Sequence, residues 1–232
     1  MVNGVIDVGF LPGGTYALFS GDGEIDVILA STRGALSKDS PNAMDWNDGE
    51  PTTGNPDNQV PYYRSLLIAG PSAVGQALAD KGNSGQELIW EDYNSAKWCI
   101  QGPTSSAGTV YPSVHLSQLF GRCVTDLNNA INAGGYGGAM ISLTAGNCDL
   151  ATIYADTRRD YADQWTTDYG RPASIWTEAN VDMVTEGIFN DTISVSNATV
   201  SEELKDALAQ AFINIICTLV GCDIFEVYNH QG

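Results

Sequence analysis

Hydrophobic and polar positions change period along the 232 residues. In the first third the alternation is twofold. Ile25 and Val27 alternate with Glu24 and Asp26, which predicts a strand over 24–30. A second short strand is expected over 15–19. Pro12-Gly13 and Gly21-Asp22-Gly23 supply turn residues on either side, so the two segments read as a hairpin. Residues 37–61 have no apolar period and carry Pro41, Pro51, Pro56 and Pro61, which predicts a long polar loop. Loops of that length usually have a use, here expected to be reaching over a neighbouring subunit. Strands are expected over 62–69 and 87–91. Between them lies a helix over 73–81, capped by Ser72 and closed by Gly82. The Gly/Ser/Thr/Pro stretch 102–108 is a candidate hinge.

The later chain shows a helical period. Leu116, Leu119, Phe120, Cys123, Val124, Leu127 and Ile131 share one stripe, which predicts a helix from Ser113 to the stop at Gly134-Gly135. Asp149 is placed to cap a helix over 150–165, and Ser174 one over 175–186. Thr199 and Glu202 have capping-box spacing before a last helix, 201–220. There Glu202, Asp206, Gln210, Asn214 and Thr218 form one narrow polar stripe on a mostly apolar cylinder, the pattern of a helix buried in a core or oligomer interface. A final strand is expected over 223–228. Period-2 segments early and helices late indicate α+β architecture. The expected form is β-rich, with antiparallel sheets in a barrel or sandwich and helices packed on them. The alternative is a single jelly-roll β-barrel with inserted helices. One structural domain is expected over 1–232. No window reaches the roughly 18 apolar residues of a membrane span, so no transmembrane segment is expected, and the start is not that of a signal peptide.

Charge narrows the partners. With 10 Lys+Arg against 28 Asp+Glu, the net charge is −18. Phosphate-backbone binding relies on clustered Lys/Arg, so direct nucleic-acid binding is not expected. A surface this acidic repels itself unless salt screens it, and at about 1 M ionic strength the Debye length falls to about 3 Å. The balance suits a molar-salt environment, and equally an acidic secreted or cell-surface protein in ordinary salt or an acidic lumen that lets DNA pass.

Each catalytic template fails on spacing or order. His115 and Cys123 lie eight residues apart on one predicted helix, about 12 Å, too far for a dyad. Ser72 in Gly70–Gly75 misses the G-x-S-x-G elbow by one position and reads as a cap. Gly134–Gly138 is placed after a helix and before a strand-like 139–143, the reverse of a phosphate-binding strand–loop–helix. Glu178, Asp182 and Glu186 at i,i+4 spacing read as a solvated helix face. Asp22, Glu24 and Asp26 alternate beside a turn and are the candidate metal ligands, for calcium. No catalysis and no cofactor are expected. Five cysteines (99, 123, 148, 217 and 222) with no C-x-x-C read as small buried hydrophobes or, in an oxidising assembly, as interchain bridges.

By size, acidity and the character of its start, the chain resembles the larger major capsid protein of the icosahedral, internal-membrane viruses of haloarchaea. The resemblance is one of composition over the whole length. It implies an upright jelly-roll fold, a virion location after assembly in the host cytoplasm, and partners that are further copies and other virion subunits. Disulfide links between neighbours are also implied, with Cys99 and Cys148 as the candidates. The alternatives are a tail-tube or neck protein of a tailed halovirus, and a halophilic hydrolase or glycan-binding protein.

Overall fold

The computed structural model describes residues 1, 3, 5–216, 218, 220 and 221. In chain order the elements begin β1 (Val8–Leu11), α1 (Gly13–Phe19), β2 (Ile25–Ala30), β3 (Arg33–Leu36), β4 (Gly54–Val60), β5 (Tyr62–Tyr63) and β6 (Ser65–Ala69). Next come α2 (Ala73–Asn83), α3 (Trp90–Ser95), β7 (Trp98–Ile100), α4 (Tyr111–Phe120), β8 (Ala130–Asn132), α5 (Tyr136–Thr144) and β9 (Leu150–Tyr154). The remainder are α6 (Thr157–Asp160), α7 (Ala162–Thr167), α8 (Ile175–Glu178), β10 (Asn180–Val184), β11 (Ile188–Phe189), β12 (Thr192–Ser196) and α9 (Glu202–Ile216). They form two compact units. One gathers the residues up to Ala35, Gly54–Tyr63 and the described residues from Ile188 onward; the other holds Leu36–Thr53 and Arg64–Gly187.

The larger unit is built on a five-stranded sheet in the order β10-β6-β9-β7-β8. β6 is antiparallel to both β10 and β9, whereas β7 is parallel to β9 and β8. Four strands therefore run one way, with β6 reversed among them. Alternate residues face opposite sides of the sheet. Leu66, Ile68, Ala151 and Ile153 pack with Met140 and Leu143 of α5, Trp165 of α7 and Trp176 of α8. Leu67, Ala69, Leu150 and Trp98 pack on the other side with Leu78 of α2, Trp90 and Tyr93 of α3 and Leu116 of α4. The result is three layers. Each large apolar side chain buried here stabilises by about 1.5–3 kcal/mol, and Leu66→Ala would cost about 3 kcal/mol.

Double-sided burial explains why β9 reads as helix, whereas β6, buried in the same way, lies in the strand expected over 62–69. All five residues of β6 are buried, as are the first four of β9. Such strands lose their alternation and become short apolar runs that periodicity cannot distinguish from helix. Residues 150–165 are thus β9 followed by the short helices α6 and α7. The expected cap Asp149 instead accepts from Ser72 Oγ (2.6 Å) and Lys97 N (2.8 Å). Ser72 does cap α2, accepting from Gly75 N at 3.0 Å. The run from Ser113 stops early at Gly121, whose φ is 67°, and 130–132 is β8. The run from Ser174 is one helical turn and then β10. Segment 15–19 lies in α1, and 87–91 leads into α3. The polar stretch 37–61 contains a 3-10 turn, Ala43–Trp46, and β4, which pairs with β3.

Cys99 of β7 and Cys148, just ahead of β9, are joined to each other within the chain and are fully buried. This corrects their expected role as bridges to neighbours: β7 and β9 are adjacent, so the nearest thiol is intramolecular. Cys123 is a half-buried free thiol, and Cys217 and Cys222 lie outside the described residues.

In the smaller unit β12 pairs antiparallel with β1 and β2, and β11 with β5. Lys205 ties α9 to β2, donating to Asp26 Oδ2 (2.7 Å), Asn197 Oδ1 (2.7 Å) and Glu202 Oε1 (2.6 Å). Phe212 meets Phe10 edge-on at 5.7 Å. Leu204, Ile213 and Ile215 of this helix are exposed on the single chain, so the core of this unit does not cover them. The mixture of helices and sheets is as expected, but among the described residues no sheet closes into a barrel. No described helix is long and apolar enough to cross a membrane. The strand expected over 223–228 lies outside the described residues.

Candidate functional site

Because β7, β8, β9 and β10 run in the same direction, their carboxyl ends share one edge of the sheet. That edge is where open α/β sheets hold ligands. The segment after β7 is the most elaborate. Ser105 N donates to Gly102 O (2.9 Å), and a wide helical turn, Ser106–Val110, then leads straight into α4. Ser105 holds that turn together. Its Oγ accepts from Gly108 N at 3.2 Å, and its carbonyl accepts from Thr109 N and Val110 N, both at 3.0 Å. Three further hydroxyls pin it. Ser65 Oγ donates to Ala107 O (2.6 Å), Thr152 Oγ1 to Gly108 O (2.7 Å) and Thr109 Oγ1 to Gln101 O (2.8 Å). Only glycine fits at 108, since a Cβ there would lie 2.2 Å from Gln101 Cγ. The stretch expected as a hinge is therefore held to strands β6 and β9.

What this leaves unused is all of one kind. The first N–H groups of a helix have no intrahelical partner. Ser105 takes those of Gly108, Thr109 and Val110, so the N–H groups of Ser106 and Ala107 stay unbonded among the described residues. Ser106 Oγ and Gln101 Nε2 are also buried without a partner. Each can donate. Buried polar groups are nearly always satisfied, so such exceptions require an explanation.

The loop after β8 joins the first. Gly135 N donates to Gln101 Oε1 at 3.0 Å, and Ser105 Oγ lies 3.4 Å from Tyr136 Oη. Gly135 has φ 127°, a backbone state that a side chain would strain, and the chain turns there directly into α5. At the end of β9, Tyr154 packs edge-on against Tyr136 at 4.8 Å and donates to Asp160. Burial raises the pKa of Tyr136 and Tyr154, keeping both phenols neutral, and does the same to Tyr111. Burial also lowers His115 against the opposing pull of Glu186. Nearby Arg158 is committed to Asp156 (2.8 Å) and to Ala179 O (3.0 Å), with both side chains of the pair fully buried. Neutral donors and two helix starts thus meet at one edge, an arrangement suited to an oxyanion.

The expected metal ligands are elsewhere and apart. Asp22 and Glu24 are exposed around a turn, and the carboxyl of Asp26 is held below its ordinary range by Lys205. Among the described residues no three His, Cys, Asp or Glu side chains group to hold a metal. The supposed acidic face is also dispersed. Glu178 binds Arg171 (2.7 Å) and Trp165 Nε1 (2.9 Å), while Asp182 lies on β10. Sequence reasoning missed Gln101, Ser105, Ser106 and Tyr136. Their signal was Gly134-Gly135, which follows a strand and opens a helix once 130–132 is seen to be extended.

Solved structures share this fold. A binding-protein component of an ABC phosphonate transporter from Pseudomonas aeruginosa aligns with a TM-score of 0.61 at 13% identity, covering 99% of this chain and 63% of its own. The Mh-p37 protein of Mycoplasma hyorhinis, described as a candidate thiamine pyrophosphate transporter, aligns at 0.74 and 12% identity, covering 98% and 72%. PhnD1 of Prochlorococcus marinus, in complex with methylphosphonate, aligns at 0.52 and 11%, covering 99% and 72%. The chain thus spans 63% of the length of the first of these proteins. No curated protein matches it. The chain belongs to the ABC transporter, phosphonate, periplasmic substrate-binding protein family, whose pattern matches residues 1–232.

That match overturns the capsid resemblance, and with it the virion partners and virion location. The error has a physical root. Net charge describes a surface and its solvent, whereas fold and site are carried by the interior and by local geometry.

Proposed function

We propose that this chain is the solute-binding component of an ABC importer and takes a tetrahedral phosphorus oxyanion, phosphonate or phosphate, at the carboxyl edge of its five-stranded sheet. The observation that carries the reading is the unused donor set of Ser106, Ala107 and Gln101. Family membership supports it, and the ligands named for two similar structures, methylphosphonate and thiamine pyrophosphate, share that chemistry. Neutral donors also suit a chain of net charge −18, because each acts over hydrogen-bond distance and needs no lysine. The partners in this reading are the membrane permease subunits, and the location is extracytoplasmic. The buried Cys99–Cys148 bond is consistent with an oxidising compartment. The role in this reading is binding without catalysis, in keeping with a substrate-binding protein family.

Isothermal titration calorimetry with methylphosphonate, inorganic phosphate and sulfate tests the assignment. Saturable heat with a phosphorus oxyanion, lost in Ser105→Ala/Ser106→Ala, is the expected result. A folded protein giving no heat with any of them would sink it.

A further inference from the structure

A second region of the larger unit has the opposite character. Edge strand β10 carries a bulge: Val181 pairs with Ile68 and Met183 with Leu67, leaving Asp182 without a partner across the ladder. Bulges re-aim side chains and gather beside functional sites. Asn47 covers the strand at Val181, accepting from its N–H (2.7 Å) and donating to its carbonyl (2.9 Å). The neighbouring bulged residue lines an open cavity of about 280 Å³, bounded also by Met44, Asn83, Glu87, Leu88, Tyr93 and Leu119. Asp182 lines this cavity, and its Oδ2 is buried and accepts no hydrogen bond.

An unpaired buried acceptor is costly, and a ligand that donates to it recovers that cost. Lys81, which precedes the cavity wall at the end of α2, is already bound to Asp92 at 2.6 Å. A divalent metal does not suit the lining: calcium takes six to eight oxygens, whereas among the described residues the carboxylates lining it are Asp182 and Glu87, beside apolar Met44, Leu88 and Leu119. We propose that this cavity is a second binding site, for a small organic ammonium that donates to Asp182 and lays its hydrocarbon against Leu88 and Leu119. A volume of 280 Å³ equals roughly nine waters, enough for an amine of a few carbons.

The pH response depends on the surroundings. Burial raises the Asp182 carboxyl to about 7. The other charged or titratable groups around the cavity are Glu87, the Lys81–Asp92 pair and Tyr93, a phenol that burial keeps neutral. A bound cation favours the carboxylate, so affinity should rise between pH 6 and 8 and then level off.

The probe is n-butylammonium chloride, titrated calorimetrically into the full chain at pH 8, with butan-1-ol and butyrate as controls of the same shape. Saturable binding of the ammonium alone is expected, about tenfold or more weaker in Asp182→Asn, which also loses the pH dependence. Gly82→Leu, placing a side chain at the cavity wall, should abolish butylammonium binding and leave methylphosphonate binding unchanged. Failure of the ammonium to saturate, equal binding of butan-1-ol, or unchanged affinity in Asp182→Asn overturns the proposal. If Asp182→Asn loses its near-UV circular dichroism, Gly82→Leu decides, and retained binding there is equally fatal.

Discussion

Two regions of the same unit are built with opposite hydrogen-bonding capacity. At the carboxyl edge, Ser106 Oγ, Gln101 Nε2 and two backbone N–H groups are donors without acceptors. At the β10 bulge, Asp182 Oδ2 is an acceptor without a donor. Both belong to a chain of net charge −18, which by long-range electrostatics alone would favour cations everywhere. Screening limits that influence to about 8–10 Å in ordinary salt, whereas a hydrogen bond acts at about 3 Å. Ligand sign is therefore set locally, by which backbone and side-chain atoms the fold leaves unsatisfied. The difference predicts two classes of substitution, those that disturb the shared frame and those that disturb one region and spare the other.

The largest effect should come from the frame. The Cys99–Cys148 bond closes a sequence separation of 49 and joins β7, which carries the donor loop, to β9. Replacing both cysteines by alanine should cost about 4 kcal/mol by the loop-entropy relation and lower Tm by roughly 10 °C. Thermal denaturation by circular dichroism checks this, and an unchanged Tm would show that packing alone holds the two strands together. Next is Gly108→Ala. Its Cβ would lie 2.2 Å from Gln101 Cγ and 2.8 Å from Ser105 Oγ, displacing both residues that organise the donors. Methylphosphonate affinity should fall about a hundredfold while butylammonium affinity is unchanged, read by calorimetry with both ligands on one preparation.

How far the sequence could be read obeys the same division. Capping is local chemistry and was legible: Ser72 caps α2 as its spacing predicts. The edges of helices flanked by apolar runs were not. Leu150, Ile153 and Tyr154 fall at helical spacing with Tyr161 and Trp165, and only pairing with β6 and β7 makes Leu150–Tyr154 a strand. That misreading displaced the site. With 130–132 taken as helix, Gly134-Gly135 became a helix stop, and the strand–loop–helix order at β8–α5 disappeared. Asp182 was lost similarly, because its i,i+4 relation to Glu178 and Glu186 mimics a helix face. The donor loop itself has no sequence period. Ser105 and Ser106 acquire their meaning from Ser65 and Thr152, which are distant in sequence and fix the carbonyls of Ala107 and Gly108.

The third effect isolates the acceptor region through pH. Asp182 has an ordinary pKa of 3.8, raised to about 7 by burial in the folded chain. Between pH 4 and 7 the unfolded chain has released this proton and the folded chain retains it. The unfolded state then binds fewer protons, so stability falls as pH rises through that window and is flat above it. Allowing for the partial exposure of Asp182, the loss should be about 2 kcal/mol. Urea denaturation of wild type and Asp182→Asn at pH 4.5 and 7.5 measures it. The wild type should weaken relative to the variant at the higher pH. Parallel behaviour of the two would mean that this carboxyl is as well solvated folded as unfolded.

The smallest effect tests the donor region one atom at a time. Ser105 Oγ accepts from Gly108 N at 3.2 Å and lies 3.4 Å from Tyr136 Oη, so it both caps the helical turn and meets the loop after β8. Loss of a cap costs about 1 kcal/mol. Ser105→Ala should lower stability by that amount and methylphosphonate affinity by about tenfold, because the turn that presents the N–H groups of Ser106 and Ala107 would be less well ordered. Ser105→Thr keeps the hydroxyl and should restore most of both. If Ser105→Ala loses the stability but keeps full affinity, Ser105 only caps the helix, and the ligand contacts belong to Gln101 and Ser106. If affinity falls with stability intact, the hydroxyl itself reaches the ligand. In either case butylammonium binding at the β10 bulge should not change.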